Sequence, residues 1–141
     1  MPNESAVDAA LRVLRHQDRS TTQVRERLEA SGYASGELDA ALETLVRTGV
    51  LDDHRFAALR ASSLSERGAG DIRIRHELRC AGVPAEVAAE ALELLEPEDE
   101  RARRIVARRG PGAKTARYLH GKGFSEEAAA AVAYGVGDEL G

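Results

Sequence analysis

Three short motifs contain residues whose types and spacing suit chemistry. The segment GPGAKT, residues 110–115, has the glycines and the Lys-Thr pair of a phosphate-binding loop. His76 and Cys80 stand four residues apart, a spacing that puts a thiol beside a general base on one helix face. Asp52 and Asp53 are adjacent carboxylates, which suit metal binding or acid–base work.

The phosphate-loop motif is incomplete. A P-loop requires G-x-x-x-x-G-K-[ST] after a buried strand. In this sequence Ala113 precedes Lys114, and Arg108 stands where the first glycine belongs. The segment before it, RARRIVARR, is charged and has the pattern of a helix rather than a strand. Nucleotide binding is therefore not expected here.

Structural roles explain the other two motifs better. Cys80 is the single cysteine and lies near a predicted helix end, where it suits a small apolar role. Asp52 and Asp53 precede a predicted helix, a position that carboxylates favour as caps. The four histidines are scattered and form no metal-binding pattern. We expect no catalytic residue, no metal and no cofactor.

Composition favours packed helices in a reducing compartment. The 141 residues are 43% hydrophobic but only 4% aromatic, so the core must be built from Leu, Val, Ile and Ala. The net charge of −4 argues against strong autonomous binding to duplex DNA. No apolar run has the length of a membrane span, and the start lacks the features of a signal peptide. With a lone cysteine, the chain is expected in the cytoplasm.

Charge placement is the strongest anomaly. From residue 101 to residue 122 the chain has eight basic and no acidic residues, whereas its other charges are mixed in sign. Such a patch predicts an anionic partner, either phosphate or an acidic protein surface. This basic segment comprises Arg101, Arg103, Arg104, Arg108, Arg109, Lys114, Arg117 and Lys122. A secondary, sparser basic set comprises Arg67, Arg73, Arg75 and Arg79.

The chain also contains a threefold repeat. Segments 24–45, 74–95 and 115–136 align without gaps, and each contains Leu-x-x-x-Gly followed by apolar residues at helical spacing. The glycine stands where a helix should end, and glycine enters the left-handed conformation of a helix cap at little cost. Each repeat is thus predicted to be a helix, a glycine turn and a second helix. Its structural positions are Leu28 and Gly32, Leu78 and Gly82, and Leu119 and Gly123.

Three more helices are predicted between and before the repeats. A leading helix should run from about Glu4 to His16 with Val7, Leu11 and Leu14 inward, and others should span 53–67 and 98–109. The fold class is therefore all-α, with tandem three-helix, helix-turn-helix-like modules forming an elongated curved rod. We expect modules at 1–57, 58–97 and 98–141, with helix 53–67 as a connector. Stacked modules of this size are expected to share a core.

Three phrases give the sequence a resemblance to a known family. LDDHRFA (51–57), ERGAGDIRIRHELRCAGV (66–83) and LHGKGFSEEAA (119–129) resemble, in order and spacing, the RecX family of bacterial recombination regulators. The resemblance implies a curved all-α protein that binds RecA recombinase and its nucleoprotein filament. It further implies inhibition of strand exchange, ATP hydrolysis and coprotease activity, with no enzymatic activity of its own.

The favoured hypothesis is a filament regulator whose basic segment faces RecA or, in weak contact, DNA phosphate. Two other function classes are alternatives to it. A helix-turn-helix transcriptional regulator would place a second helix in the major groove. The second helices here, 35–48, 85–95 and 126–136, are dominated by Glu and Ala rather than by base-reading residues. The other class is a scaffold for a different partner. We expect a monomer with no membrane association.

Overall fold

The computed structural model describes residues 3–134, and within that range the chain folds into nine α-helices and no strand. The all-α fold class is thereby confirmed. The helices are α1 (Ala6–His16), α2 (Thr21–Ala30), α3 (Ser35–Arg47), α4 (Asp53–Glu66), α5 (Asp71–Cys80), α6 (Ala85–Glu93), α7 (Glu98–Arg109), α8 (Ala113–Gly121) and α9 (Glu126–Ala133).

Each set of three consecutive helices encloses its own apolar cluster. Leu28, Leu78 and Leu119 of the repeat are fully or almost fully buried, one in each cluster. The main helix–helix packing lies within these sets, so the described modules have separate cores rather than the shared core that we expected. The third helix of each set covers the apolar faces of the other two helices. A module therefore does not need a neighbouring module to complete its core.

Helix α4 spans the boundary that we expected between the first two modules. A division at residues 57/58 falls inside α4, and Phe56 and Ala57 belong to the second cluster. Because α4 packs on α5 and α6, it acts as the first helix of the second module rather than as a connector. We propose dividing the modules just before α4 and just before α7, where Asp53 and Glu98 begin their helices.

Capping residues fix the helix ends as expected. Ser20 and Gln23 form a capping box at the start of α2, and the side chains of Asp52 and Ser125 cap α4 and α9. The repeat glycines 32, 82 and 123 have φ values of 97°, 80° and 92°. In each repeat the residue after the glycine donates its N–H back to the repeat leucine. We call the turns 31–33, 81–83 and 122–124 the docking turns.

The leading helix α1 buries alanines instead of the expected leucine. It begins at Ala6 rather than near Glu4, and Ala6, Ala9 and Ala10 are almost fully buried, while Leu11 is 38% exposed. The helix packs on α2 and α3, and Val7 and Leu14 are partly buried against the same cluster, as expected. The inward assignment of Leu11, by contrast, was wrong.

Hydrogen bonds and close backbone approach join the first module to the second. The N–H of Thr21, at the start of α2, donates to Oδ1 of Asp53, at the start of α4, over 2.8 Å. The buried Ser20 hydroxyl donates to the carbonyl of Ala81 in the second docking turn. A Cβ on Gly82 would lie 2.3 Å from Oγ1 of Thr22, so only glycine leaves room for this contact.

The second and third modules are joined in the same way. The N–H of Asp71, at the start of α5, donates to Oε2 of Glu98, at the start of α7, over 2.8 Å. The N–H groups of Gly70 and Ile72 donate to carbonyls of the third docking turn, each over 2.9 Å. In the repeat alignment Asp71 matches Thr21. The chain therefore uses one type of joint twice: the start of a module's second helix seats on the docking turn of the next module.

Candidate partner-binding surface

Helix α7 carries most of the predicted basic segment. Three acidic residues occupy its first turn and two arginines its last, an arrangement that complements the helix dipole. Pro97 stands just before the helix, and Gly110 ends it with φ 87°. Helix α7 therefore has defined ends, and the position of each arginine in the sequence determines the face of the helix on which it lies.

Arg101 lies inside the joint between the second and third modules. Only 7% of its side chain is exposed, and its guanidinium donates to the carbonyls of Glu96 and Ala69 and to the carboxylate of Asp71. It also lies over the ring of Phe124, 5.9 Å from the ring centre. Although the sequence placed it in the partner-binding set, its donors are directed into the protein. It is a joint residue, and little of its side chain is accessible.

Two other arginines of α7 are paired with acids on the surface. Arg103 contacts Asp99 at 3.5 Å and Glu100 at 2.8 Å, at helical i, i+4 and i, i+3 spacing. Arg104 pairs with Glu96, just before α7. The acid-free stretch 101–122 is thus partly neutralised by acids that precede it. The i, i+3 and i, i+4 spacing was a signal that could have revealed the Arg103 pairs from sequence.

Arg108 and Arg109 are exposed, and no ion-pair partner for either is found within residues 3–134. Arg109 stacks on Tyr118 of α8, with its guanidinium carbon 3.7 Å from the ring centre. Arg108 lines two adjoining hollows, of about 590 Å³ and 350 Å³, between the end of α4 and α7. The cationic end of α7 therefore borders an open cleft between the second and third modules.

The secondary basic set contributes to the same cleft. Arg67, at the end of α4, lines the smaller hollow together with Arg108 and Arg109. The side chain of Lys122 passes beside Gly68, because its Cε lies 3.5 Å from where a Cβ of that glycine would be. Arg73 reaches the carbonyl of Gly121 across the same joint. Cations distant in sequence thus converge where the two modules meet.

The remaining predicted site residues lie elsewhere. Lys114 and Arg117 are exposed on α8, and Arg117 lines a separate hollow of about 550 Å³ against α9. Arg75 and Arg79 are exposed on α5, where Arg79 lies 3.5 Å from Nδ1 of His76. The predicted set is therefore not one surface but a central cleft with two outlying groups.

The motifs that suggested other chemistry show no arrangement of a catalytic or metal site in the described residues. Cys80 Sγ lies 3.5 Å from Nε2 of His76, but both side chains are exposed on α5, so the small apolar role expected for Cys80 was wrong. Asp52 and Asp53 cap α4 and α2. No group of three or more potential metal ligands occurs in residues 3–134.

The segment GPGAKT contains the turn between α7 and α8, residues 110–112, and the first three residues of α8. Gly110 and Gly112 both have positive φ, and the hydroxyl of Thr115 donates back to the carbonyl of Gly110 over 2.6 Å. A helix rather than a strand precedes the turn, so the structural context of a P-loop is missing. Across the described part of the chain, no helix is long and apolar enough to cross a membrane.

Comparisons with known proteins agree with this architecture. The family model described as RecX, second three-helix domain, matches residues 52–92, which span α4 to α6. The regulatory protein RecX of Halorhodospira halophila is 34% identical over 99% of this chain and 94% of its own length. That of Chromohalobacter salexigens is 38% identical over 85% of both chains.

A solved structure shows the same fold. The crystal structure of RecX from Lactobacillus salivarius superposes with a TM-score of 0.78 at 19% identity, covering 90% of this chain and 91% of that one. A likeness at such low identity reflects the shared arrangement of helices. The sequence relatives, which cover nearly the whole chain at above 30% identity, carry the assignment further. The chain belongs to the RecX family of regulatory proteins.

Proposed function

We propose that this chain regulates RecA recombinase by binding along its nucleoprotein filament, with the cleft between the second and third modules as the contact surface. In this role it limits filament growth, strand exchange, ATP hydrolysis and coprotease activity in recombination, DNA repair and the SOS response. It acts in the cytoplasm as a monomer and contributes no catalytic residue or cofactor. The observation that supports the proposal is the convergence of cations from two modules at one cleft.

The chemistry of the cleft suits an anionic polymer. Arg67, Arg108 and Arg109 offer planar groups with several donors, which match carboxylate and phosphate oxygens in pairs. Lys122 adds a further positive charge beside them. Because the remainder of the chain is acidic overall, the field at this cleft orients the protein toward an acidic RecA surface or a phosphate backbone.

The proposal is tested with charge-reversed variants in a RecA ATPase assay on single-stranded DNA. The double variant Arg67→Glu, Arg108→Glu removes two cations of the cleft. Its inhibitory concentration should rise about tenfold or more, since each charge-assisted contact is worth on the order of 1.5–3 kcal/mol. The matched control, Arg15→Glu with Arg47→Glu, changes the net charge equally on exposed residues of the first module. Equal potency of the two variants would contradict the cleft assignment.

The alternative, a DNA-binding transcriptional regulator, predicts a different dependence. Helices α6 and α9 contain no Arg, Lys, Asn or Gln, and α3 contains only Arg47, so base-reading groups are scarce on the second helices. A salt-dependent shift of duplex DNA at nanomolar protein, without RecA, would favour this alternative. Retained RecA inhibition with no such shift would favour the filament regulator.

A further inference from the structure

The two occupied docking turns share one set of contacts. In each, a carbonyl of the turn accepts a hydrogen bond from the start of a helix, namely from Ser20 Oγ or Gly70 N–H. In each, the glycine leaves space that a Cβ would close, with the nearest atoms of Thr22 or Arg73 at 2.3–2.4 Å. We call the helix that contacts a docking turn in this way the seated helix. A carboxylate beside each turn accepts a hydrogen bond from the first backbone N–H of the seated helix. A docking turn is therefore built to receive the first turn of an α-helix.

The first module has a docking turn of the same form that nothing occupies in the described residues. Gly32 has φ 97°, and the N–H of Tyr33 donates to the carbonyl of Leu28, as in the other two turns. No atom lies within 4 Å of a Cβ built on Gly32, and Ser31 is exposed, whereas the matching Ala81 is buried.

A hollow of about 380 Å³ adjoins this vacant turn. Ser31, Tyr33, Asn3 and Glu4 are among the residues that line it. Asn3, which lies before the start of α1, matches Asp53 in the sequence alignment of the first two modules and also lines this hollow. The hollow thus provides space beside the vacant turn, and polar residues line it.

We propose that docking turn 31–33 is an interaction surface that receives the first turn of an α-helix from a partner protein. The helix presents its unpaired N-terminal N–H groups to the turn carbonyls and has a small residue, such as Ser or Gly, at its N-cap. The internal precedent identifies this occupant, because Ser20 and Gly70 hold that position in the two seated helices. The surface belongs to the first module and does not rest on the proposed RecA-binding cleft.

A second copy of the chain fits this surface poorly. The helix start that would correspond is that of α8, where Pro111 matches Ser20 and Gly70 and has no N–H to donate. The next amide, that of Gly112, already donates to the carbonyl of Ala133 over 2.8 Å. The third module therefore caps its own helix start, and a different protein must provide the seated helix.

The test uses the full chain and a probe peptide. A helix-stabilised peptide of residues 17–31 copies α2 with its N-cap Ser20, and it carries no net charge. Titration into labelled protein, followed by NMR, should give saturable shifts of the amide signals of residues 31–33. A peptide with Thr22→Trp, which cannot approach the glycine, should give none.

Protein variants separate this surface from non-specific binding. Ser31→Trp fills the vacant seat from an exposed position and should weaken peptide binding at least fivefold with an unchanged fold. Ala40→Trp, at an exposed position outside the turn, should bind as the wild type does. The proposal is overturned if millimolar peptide shifts no signal at residues 31–33, or if Ser31→Trp binds equally well. A concentration-dependent dimer that Ser31→Trp abolishes would likewise overturn it, in favour of a second copy.

Discussion

Glu98 caps a helix that belongs to a different module. Its carboxylate accepts the N–H of Asp71 at the start of α5 over 2.8 Å, and it also accepts the hydroxyl of Ser125 over 3.0 Å. Asp53 makes the corresponding contact with Thr21 one module earlier. A single carboxylate at the start of each following module thus satisfies a helix amide of the module before it. The modules are held in register by polar contacts of defined direction.

Replacing Glu98 by alanine should loosen this joint. The change leaves the N–H of Asp71 and the Ser125 hydroxyl without their acceptor, at a cost of about 1–2 kcal/mol in unfolding free energy. Urea unfolding measures the loss, and faster amide exchange at Asp71 locates it. Glu100→Ala is the matched control, because Glu100 stands in the same turn of α7 but forms an exposed ion pair with Arg103, and its loss should change stability by less than about 0.5 kcal/mol. Equal effects of the two changes would contradict the capping role of Glu98.

Arg101 should prove a stability residue, in contrast to its neighbours on α7. Arg101→Met leaves Asp71 and two backbone carbonyls unpaired and should cost about 2–3 kcal/mol, less than for a fully buried pair because Asp71 is partly exposed. A double-mutant cycle with Asp71→Ala should return a coupling energy of about 1–2 kcal/mol. Arg103→Met, by comparison, should cost at most about 0.5 kcal/mol. A coupling energy near zero would show that the Arg101–Asp71 pair does not hold the joint.

Alanine substitutions at two repeat glycines should distinguish the stability lost to backbone strain from the stability lost to a steric clash. Gly32→Ala introduces only the strain of a positive φ, about 1 kcal/mol. Gly82→Ala has the same strain and also drives its Cβ into Thr22, so its total cost should reach about 2 kcal/mol or more. Thermal unfolding compares the two. Adding Thr22→Gly should recover part of the stability lost in Gly82→Ala, and no recovery would place the cost elsewhere.

Tyr33 should make the first module sensitive to alkali. Burial raises the pKa of its phenol above the ordinary value, and the Glu4 and Glu37 carboxylates act in the same direction. A raised folded-state pKa means that the folded protein holds the proton more tightly. The contribution to stability is complete below about pH 10 and declines as the pH rises from there through the folded-state pKa. Unfolding free energies measured between pH 8 and 11.5 should fall less steeply in Tyr33→Phe, and parallel profiles would contradict this assignment.

The local sequence pattern predicted the helices, whereas contacts between modules determine which basic residues are accessible in the cleft. The glycine turns, the capping box at Ser20 and the bounds of α7 follow from residues close in sequence, and the structure confirms them. The burial of Arg101 could not be predicted that way, because its partner Asp71 lies 30 residues earlier in another module. Similarly, the approach of Lys122 to Gly68 depends on how the third docking turn meets α5.

The separate cores of the modules have a consequence for the order of folding. Because the main helix packing occurs among three consecutive helices, a module needs nothing from downstream sequence to bury its apolar face. Contacts that are short in sequence form early, and chains fold from the amino end during synthesis. Each module can therefore fold as it leaves the ribosome. The start of its second helix stays without its inter-module contacts until the docking turn of the next module has been synthesised. The contacts between modules then form in order from the amino end, each one after the later module of the pair has been synthesised.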